Sequence, residues 1–230
     1  MLIRAIDVLG TNALVGMRDG TIYTVDLNTG NKKSIMESHS DGEVWGLTIP
    51  NDDLIITSCD DNTIKAWKPS TRKCIASGTI STVAKTLKRR GASSLTTFAD
   101  SQCSRAVSYC PSNGHVAVGH NDGTLTIRAG VDQLDSIIAT NNDSKEWIEV
   151  IRYSPDGSKL AVGSHDNKIY VYSTSNYQLL GKCAKHNSFI TSLDWSSDGN
   201  VIRSVCGAYE LLFFNGNTYA QDPSGASNNT

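Results

Sequence analysis

The feature that most constrains this chain of 230 residues is a tight polar turn, followed by an alternating apolar run, that recurs five times. The five turns are centred on Asp19, Asp61, Asp122, Asp166 and Ala208. Three of the four intervals, at about 42 to 44 residues, match the period of about 40 to 45 residues of four-stranded propeller blades. The interval between Asp61 and Asp122 is longer and contains an insertion. Because one such sheet cannot bury its own faces, we expect the units to stack on one another.

Strands and turns alternate within each unit. In the fourth unit the sequence SPDG at 154–157 precedes the apolar run KLAVG, and an Asp-Asn pair follows at 166–167. Proline presets φ for a turn and glycine accepts positive φ, while Asp-Asn and Asp-Gly pairs are typical of hairpins. No long window shows helical periodicity. The sequence therefore predicts an all-β propeller with about five four-stranded blades. The predicted blades are approximately 1–36, 37–78, 79–141, 142–184 and 185–216, and residues 217–230 are predicted to be a polar tail or linker.

The number of units leaves the closure of the ring open. Propellers contain about four to eight blades, so five units can close on themselves or form a segment of a larger ring, most often of seven blades. We favour the segment, because the first unit begins abruptly at Leu2 and the polar tail offers no closing strand. An unpaired apolar strand at an open end is generally avoided. We therefore expect further blades from the same or another polypeptide.

Composition bears on the compartment and the class of partner. The formal net charge is −2 and the isoelectric point is about 6.2, so the chain as a whole does not attract nucleic acid or an anionic membrane. Its apolar stretches are shorter than the roughly 20 residues that span a bilayer. The six cysteines include no CxxC pair, which favours free thiols in a cytosolic protein. We expect neither a nucleic-acid nor a membrane partner.

Residue patterns typical of enzymes and metal sites are missing from the sequence. It contains no Gly-rich phosphate loop and no nucleophile elbow. The histidines are spread over different units without the paired spacing of a zinc site; they are His39, His115, His120, His165 and His186. We expect His120 and His165 to be exposed in turns. The sequence thus predicts a protein that is not an enzyme, with no catalytic residue, no metal and no cofactor, although propellers as a class do include enzymes.

The second unit resembles a WD repeat. It has His39 before its first strand, Thr57 or Ser58 in the second strand, Asp61 in the turn and Trp67 in the third strand. In WD repeats these side chains form a buried hydrogen-bonded chain that joins the outer loop to the inner strands. Such a chain meets a physical need, because a buried carboxylate must be paired. The resemblance implies that His39, Asp61 and Trp67 are structural ties of this blade.

The other units retain only parts of this set. By the same resemblance, Asp122, Asp166 and His186 are ties in the third, fourth and fifth units. The position of Trp67 is taken by Arg128 in the third unit and by Tyr172 in the fourth. The turn and strand spacing survives these departures, so they leave the blades in place and predict that the blades differ in stability.

Longer stretches resemble one family in particular. Residues 144–173, 186–199 and 207–215, together with HSDGEVWGL at 39–47, resemble the echinoderm microtubule-associated protein-like family. Members of that family pair two propellers and act on microtubules, and the matching part is the second, C-terminal propeller. The resemblance implies a non-catalytic protein that binds tubulin or a ciliary or flagellar assembly in the cytoplasm. The alternative is a general WD-repeat adaptor that binds peptides on the propeller surface.

Two groups of side chains are candidates for binding a partner. The insertion in the third unit carries a cluster of positive charge that would attract the acidic tails of tubulin, unless it is only a solvated hairpin tip. Aromatic and arginine side chains are the usual anchors of protein interfaces, although for Trp147 we favour packing in the core at the start of the first strand of its blade. The candidate partner-binding residues are Lys85, Lys88, Arg89, Arg90, Trp45 and Trp147.

Overall fold

The computed structural model describes residues 3–40, 42–80 and 102–225. Within these ranges, 19 β-strands form five antiparallel sheets that follow one another along the chain. A short 3-10 turn, Val131–Gln133, precedes the last strand of the third sheet. The prediction of an all-β propeller segment is confirmed.

The sheets are built from consecutive strands. The first contains β1 (Ile3–Leu9), β2 (Asn12–Met17), β3 (Ile22–Asp26) and β4 (Lys32–Met36), and the second contains β5 (Val44–Asn51), β6 (Leu54–Cys59), β7 (Thr63–Lys68) and β8 (Lys73–Thr79). The third contains β9 (Ser104–Tyr109), β10 (Val116–His120), β11 (Leu125–Arg128) and β12 (Ile137–Asn141). The fourth contains β13 (Ile148–Tyr153), β14 (Lys159–Ser164), β15 (Ile169–Ser173) and β16 (Leu179–Cys183). The fifth contains β17 (Ile190–Trp195), β18 (Val201–Cys206) and β19 (Leu211–Asn215).

The recurring polar turn joins the second and third strands of each sheet. Its second residue adopts a left-handed backbone conformation, with φ of 64° at Asn62, 82° at Gly123 and 66° at Asn167. Glycine and asparagine tolerate this conformation better than other residues, which explains the Asp-Asn and Asp-Gly pairs. At Gly123 a Cβ atom would also lie 2.7 Å from the carbonyl oxygen of Ser144. The repeat visible in the sequence is therefore a repeat of backbone geometry.

The first strands of the second to fifth sheets form the inner side of the array. β5 contacts β9, β9 contacts β13 and β13 contacts β17. Buried apolar clusters fill the spaces between these neighbouring sheets. Glycines permit the close approach: a Cβ on Gly119 would lie 2.3 Å from Ile148, and one on Gly163 would lie 2.7 Å from Ile190. These four inner strands place their ends side by side.

The first residues of the predicted polar tail or linker, up to residue 225, lie beside the fifth sheet. After β19 the chain folds back, with a bridge between Phe214 and Gln221 and a 2.8 Å hydrogen bond from the Asp222 amide to the Phe213 carbonyl. Tyr219 packs against Gly181 of the fourth sheet. The described part of this stretch adds one bridge and one aromatic contact but no further strand, and the assignment of 217–230 as a polar tail or linker stays a prediction. Among the described strands, β1 to β4 pair only with one another and do not extend the fifth sheet.

Two further observations concern the cysteines and the helices of the described residues. The six cysteines, all within the described ranges, form no disulfide. In the part of the chain that the structure describes, no helix has the length and apolar character needed to cross a membrane.

Candidate partner-binding surface

The second sheet contains the network expected of its WD-like residues. His39 Nδ1 lies 3.0 Å from an Asp61 carboxylate oxygen, and His39 Nε2 lies 2.8 Å from the Thr57 hydroxyl. Trp67 Nε1 donates to the same hydroxyl at 2.6 Å. Burial alone would raise the pKa of Asp61, but hydrogen bonds from Thr63, Ser40 and His39 hold it below its usual value. The network joins the segment before β5 to strands β6 and β7.

The remaining candidate ties differ from one sheet to the next. Asp166 accepts a 2.5 Å hydrogen bond from Tyr170 within its own hairpin and, among the described residues, is not bonded to a histidine. His186 is buried and lies 2.7 Å from the Ser204 hydroxyl. Asp122, by contrast, is exposed; it accepts hydrogen bonds from Thr124 and Gln102. The expectation of a buried tie at Asp122 is wrong, because its carboxylate caps a turn at the surface.

His120 also differs from expectation. The sequence predicts an exposed turn residue, but His120 is the last residue of β10 and is completely buried. Its Nε2 lies 2.9 Å from the Thr126 hydroxyl, and burial lowers its pKa to about 4. His165, one residue further along its own turn, is half-buried. The difference of one position decides which side chain faces the core, because successive residues of a strand point to opposite faces.

A group of aromatic and charged side chains lies at one end of the second to fifth sheets. In each sheet the start of the first strand pairs with the end of the second, as in Val44 with Cys59 and Ile148 with Ser164. The turn between the second and third strands therefore lies beside the residues that begin the inner strand. Since the four inner strands are neighbours, their beginnings form a continuous row across the sheets.

Arg105 joins the two candidate tryptophans in this row. Its guanidinium carbon lies 4.4 Å from the ring centroid of Trp45 and 4.5 Å from that of Trp147. The Asp60 carboxylate contacts both Trp45 and Arg105. One of its oxygens accepts a 3.0 Å hydrogen bond from Trp45 Nε1, and the other accepts a 3.3 Å hydrogen bond from Arg105 Nη1. The side chain of Arg105 is only 12% exposed, while Trp45 and Trp147 remain 44% and 37% exposed. The core-packing interpretation of Trp147 is thus wrong.

The row continues to the fifth sheet. The Trp147 ring stacks on His165 at a centroid distance of 5.4 Å, and His165 meets Phe189 at 4.7 Å. Phe189 is 41% exposed and lies over Gly207, where a Cβ would come within 2.6 Å of the ring. We call Trp45, Arg105, Trp147, His165 and Phe189 the aromatic row.

Charges along the aromatic row are mainly negative. Arg105 is paired with Asp60, so its positive charge is largely compensated. Glu149 lies 3.2 Å from His165, and Glu43 is exposed close to Asp60. The row therefore presents aromatic faces with carboxylates beside them, a combination that suits an arginine or lysine side chain of a partner.

Not all candidate binding residues can be placed. Lys85, Lys88, Arg89 and Arg90 lie outside the described residues. Arg105, His165 and Phe189 are members of the row that the sequence reasoning missed. Aligning the units on their turns would have placed His165 at the position of Asp60. It would not have placed Arg105 at the position of Trp45, because these two residues correspond only through the strand pairing, in which Ser104 pairs with His120 and Val44 with Cys59. Their mutual contacts cross sheet boundaries, which no spacing within a unit reveals.

Comparison with known proteins identifies the family. A family model described as the echinoderm microtubule-associated protein second beta-propeller matches residues 44–229. The chain is 55% identical over 228 residues to the ciliary WD repeat-containing protein ctxp80 of Euplotoides octocarinatus, covering 99% of this chain and 32% of that protein. It is 32% identical over 222 residues to the 77 kDa echinoderm microtubule-associated protein of Strongylocentrotus purpuratus, covering 92% of this chain and 28% of that protein. It is 35% identical over 218 residues to human echinoderm microtubule-associated protein-like 3, covering 92% of this chain and 22% of that protein.

These matches confirm the resemblance deduced from the residues. The chain spans less than a third of the length of these curated relatives. The chain belongs to the echinoderm microtubule-associated protein family and corresponds to its second β-propeller.

Proposed function

We propose that this chain is part of a non-catalytic, microtubule-associated WD-repeat protein that binds tubulin or a ciliary microtubule assembly through its propeller surface. The cytoskeleton, in the cytoplasm or in a cilium or flagellum, is the corresponding location. Two relatives carry the words microtubule-associated protein in their names, and a third is named a ciliary protein. These names support a role in recognition.

The aromatic row is the observation that carries this proposal. Three large aromatic side chains, Trp45, Trp147 and Phe189, remain between 37% and 44% exposed on one side of four adjacent sheets. Exposed aromatic side chains held rigidly beside an arginine are typical anchors of protein interfaces. Because Arg105 and His165 fill the spaces between the rings, little side-chain freedom is lost when a partner binds.

A second candidate function is an adaptor for a basic peptide. The carboxylates of Asp60, Glu43 and Glu149 lie beside the row. A negative surface repels the acidic tails of tubulin and attracts a segment that carries arginine or lysine. Under the microtubule proposal, the tails would instead meet the basic cluster of the insertion, and the row would contact another part of the lattice or an associated protein.

The first strand of the first sheet exposes apolar side chains that further blades could cover. Three apolar side chains of β1, Ile3, Ile6 and Val8, are between 53% and 59% exposed. Apolar groups of this size are usually covered by a neighbouring sheet. We propose that further blades, from the same or another polypeptide, pack against this strand.

Cosedimentation with assembled microtubules tests the proposed function. We expect the chain to pellet with microtubules, and the double variant W45A/W147A to bind at least about tenfold more weakly, as truncation of interface anchors typically costs more than about 1.4 kcal/mol. L180A is the matched control, because Leu180 is 47% exposed on the outer strand β16, away from the row. Near-ultraviolet circular dichroism checks that each variant is folded.

A separate experiment tests whether the basic cluster of the insertion binds microtubules. Reversal of charge at Lys85, Lys88, Arg89 and Arg90 should weaken binding to intact microtubules and should have no effect once the acidic tails have been removed by limited proteolysis. Absence of pelleting by the unmodified chain would reject the tubulin proposal. Pelleting that is unaffected by the W45A/W147A change would show that the aromatic row is not the contact surface.

A further inference from the structure

The fifth sheet contains a cluster of three metal-binding side chains that the proposed function does not use. His186, Cys206 and Glu210 bring a ring nitrogen, a thiol sulfur and a carboxylate oxygen within 4.8 Å of one another. We propose that these residues bind a divalent transition-metal ion, with zinc as the best match. The sequence predicts no metal site, because His186 and Cys206 are far apart in the chain and meet only through the sheet.

Two of the three distances between the ligand atoms match those around a tetrahedral ion. The His186 Nδ1 atom lies 3.7 Å from a Glu210 carboxylate oxygen, and Cys206 Sγ lies 3.3 Å from the same oxygen. Zinc bonds of about 2.0 to 2.3 Å to nitrogen, oxygen and sulfur require ligand atoms about 3.3 to 3.8 Å apart in a tetrahedron. The three side chains would occupy three positions and leave the fourth to water. Glu210 is 28% exposed, so the ion could enter from its side.

His186 supplies the observation that points to a ligand. Its side chain is fully buried, and its Nδ1 atom has no hydrogen-bond partner among the residues that the structure describes. Its other nitrogen, Nε2, lies 2.7 Å from the Ser204 hydroxyl. When Nε2–H donates to Ser204, the lone pair of Nδ1 points toward Glu210 and Cys206. A buried polar atom without a partner is costly, and a bound ion would remove that cost.

Outer hydrogen bonds hold two of the three ligands in place. Ser204 orients the His186 ring, and Asn187 donates both its backbone amide and its side-chain amide to Glu210. Metal-bound histidines and carboxylates are typically oriented by such partners. The cluster thus has both the ligand atoms and the supporting contacts of a metal site.

The second sheet provides an internal comparison. His39, Cys59 and Asp61 also form a group of potential ligands. There, His39 Nδ1 is 3.0 Å from Asp61, and its Nε2 is 2.8 Å from Thr57. Both ring nitrogens are therefore occupied in the second sheet. In the fifth sheet Ala208 takes the position of Asp61, which leaves the nitrogen of His186 open.

Metal binding would exchange the thiol proton of Cys206 for the metal ion. Zinc would form a bond to the Cys206 sulfur while the thiol proton leaves to solvent, with no change in oxidation state. Imidazole, thiolate and carboxylate together form a mixed donor set that suits zinc better than magnesium or calcium, which prefer oxygen ligands alone.

Metal titration of the full chain tests this proposal. After removal of metal with a chelator, we expect the chain to bind one equivalent of Zn²⁺ with release of a proton, and Co²⁺ to give the absorption of a cobalt–thiolate bond. C206A and E210Q should weaken zinc binding by at least about tenfold, and S204A by roughly 10- to 100-fold. C59A is the matched control and should bind as the unmodified chain does.

Two outcomes would overturn the assignment. One is the absence of zinc binding and of the cobalt–thiolate band in the unmodified chain at micromolar metal. The other is retention of full affinity by both C206A and E210Q when tryptophan fluorescence shows that they are folded. Loss of binding in C59A with retention in C206A would move the site to the second sheet and equally reject the proposal.

Discussion

Replacement of the turn aspartate by alanine should have very different effects in the second and third sheets. Asp61 and Asp122 occupy the same position of the repeat, yet the Asp61 side chain is 1% exposed and Asp122 lies at the surface. Asp61 accepts hydrogen bonds at 3.0 Å from His39, 2.9 Å from the Ser40 amide and 2.9 Å from the Thr63 amide. Its removal would leave the half-buried donors of His39 and Thr63, and the exposed Ser40 amide, without this acceptor.

The size of the effect follows from these contacts. A buried donor or acceptor that is left without a partner typically costs about 1 to 3 kcal/mol, because it stays desolvated. Hydrogen bonds of this kind are not additive, so we expect about 3 to 5 kcal/mol for D61A in total. Asp122 accepts a hydrogen bond from the Thr124 amide at 2.9 Å and another from the Gln102 side chain at 3.1 Å. Loss of such a turn cap costs about 1 kcal/mol, which is our expectation for D122A.

Amide hydrogen exchange followed by mass spectrometry is the assay of choice. Arrays of stacked repeats can unfold in steps, so a single unfolding midpoint does not report on one sheet. Peptides from 44–79 and from 104–141 report on the second and third sheets separately. D61A should accelerate exchange in the first of these regions far more than D122A does in the second. Equal losses of protection, within about 0.5 kcal/mol, would refute the idea that burial of the carboxylate sets its contribution.

Two further predictions concern a buried histidine and the aromatic core. His120, which faces Asp122 and Arg128, has its pKa lowered to about 4 by burial, so the unfolded chain binds the proton more tightly than the folded one. The free energy of unfolding should therefore fall by up to about 3 kcal/mol as the pH drops from about 6.5 to 4. When this free energy is measured by urea titration at several pH values, H120Q should remove that part of the pH dependence. The same pH dependence in H120Q and in the unmodified chain would contradict the prediction. Phe214 is fully buried, so F214A should cost about 3 to 5 kcal/mol. Trp195 is half-buried, and its indole nitrogen lies 3.1 Å from the Arg152 carbonyl oxygen. W195A should therefore destabilise the chain about half as much as F214A. A larger loss of stability in W195A than in F214A would contradict the assignment of burial.

The sequence predicts the fold well because the fold depends on local features. The left-handed turn residues Asn62, Gly123 and Asn167 are visible as Asp-Asn and Asp-Gly pairs, and they fix where each sheet turns. The network around His39 and Asp61 could also be predicted, since every member stands at its WD position.

Features that depend on contacts between sheets were harder to predict. The burial of His120 depends on a single residue of register, and the role of Arg105 depends on two tryptophans from different sheets. Tyr219 anchors a segment whose composition is typical of a linker. For Arg105 and Tyr219, the side chain that decides the structure contacts residues outside its own repeat.

The recurring turn connects stability to the candidate binding surface. In the second sheet, Asp61 faces the buried network while the preceding residue, Asp60, holds Trp45 and Arg105 in the aromatic row. The fourth sheet repeats this division, with Asp166 bonded inside its hairpin and His165 stacked between Trp147 and Phe189. Adjacent residues of one rigid turn thus perform the two tasks. The hydrogen bonds of Asp61 hold the backbone of the turn, and with it the neighbouring residue Asp60. A change at Asp61 should therefore disturb the aromatic row, even though Asp61 is not part of that surface.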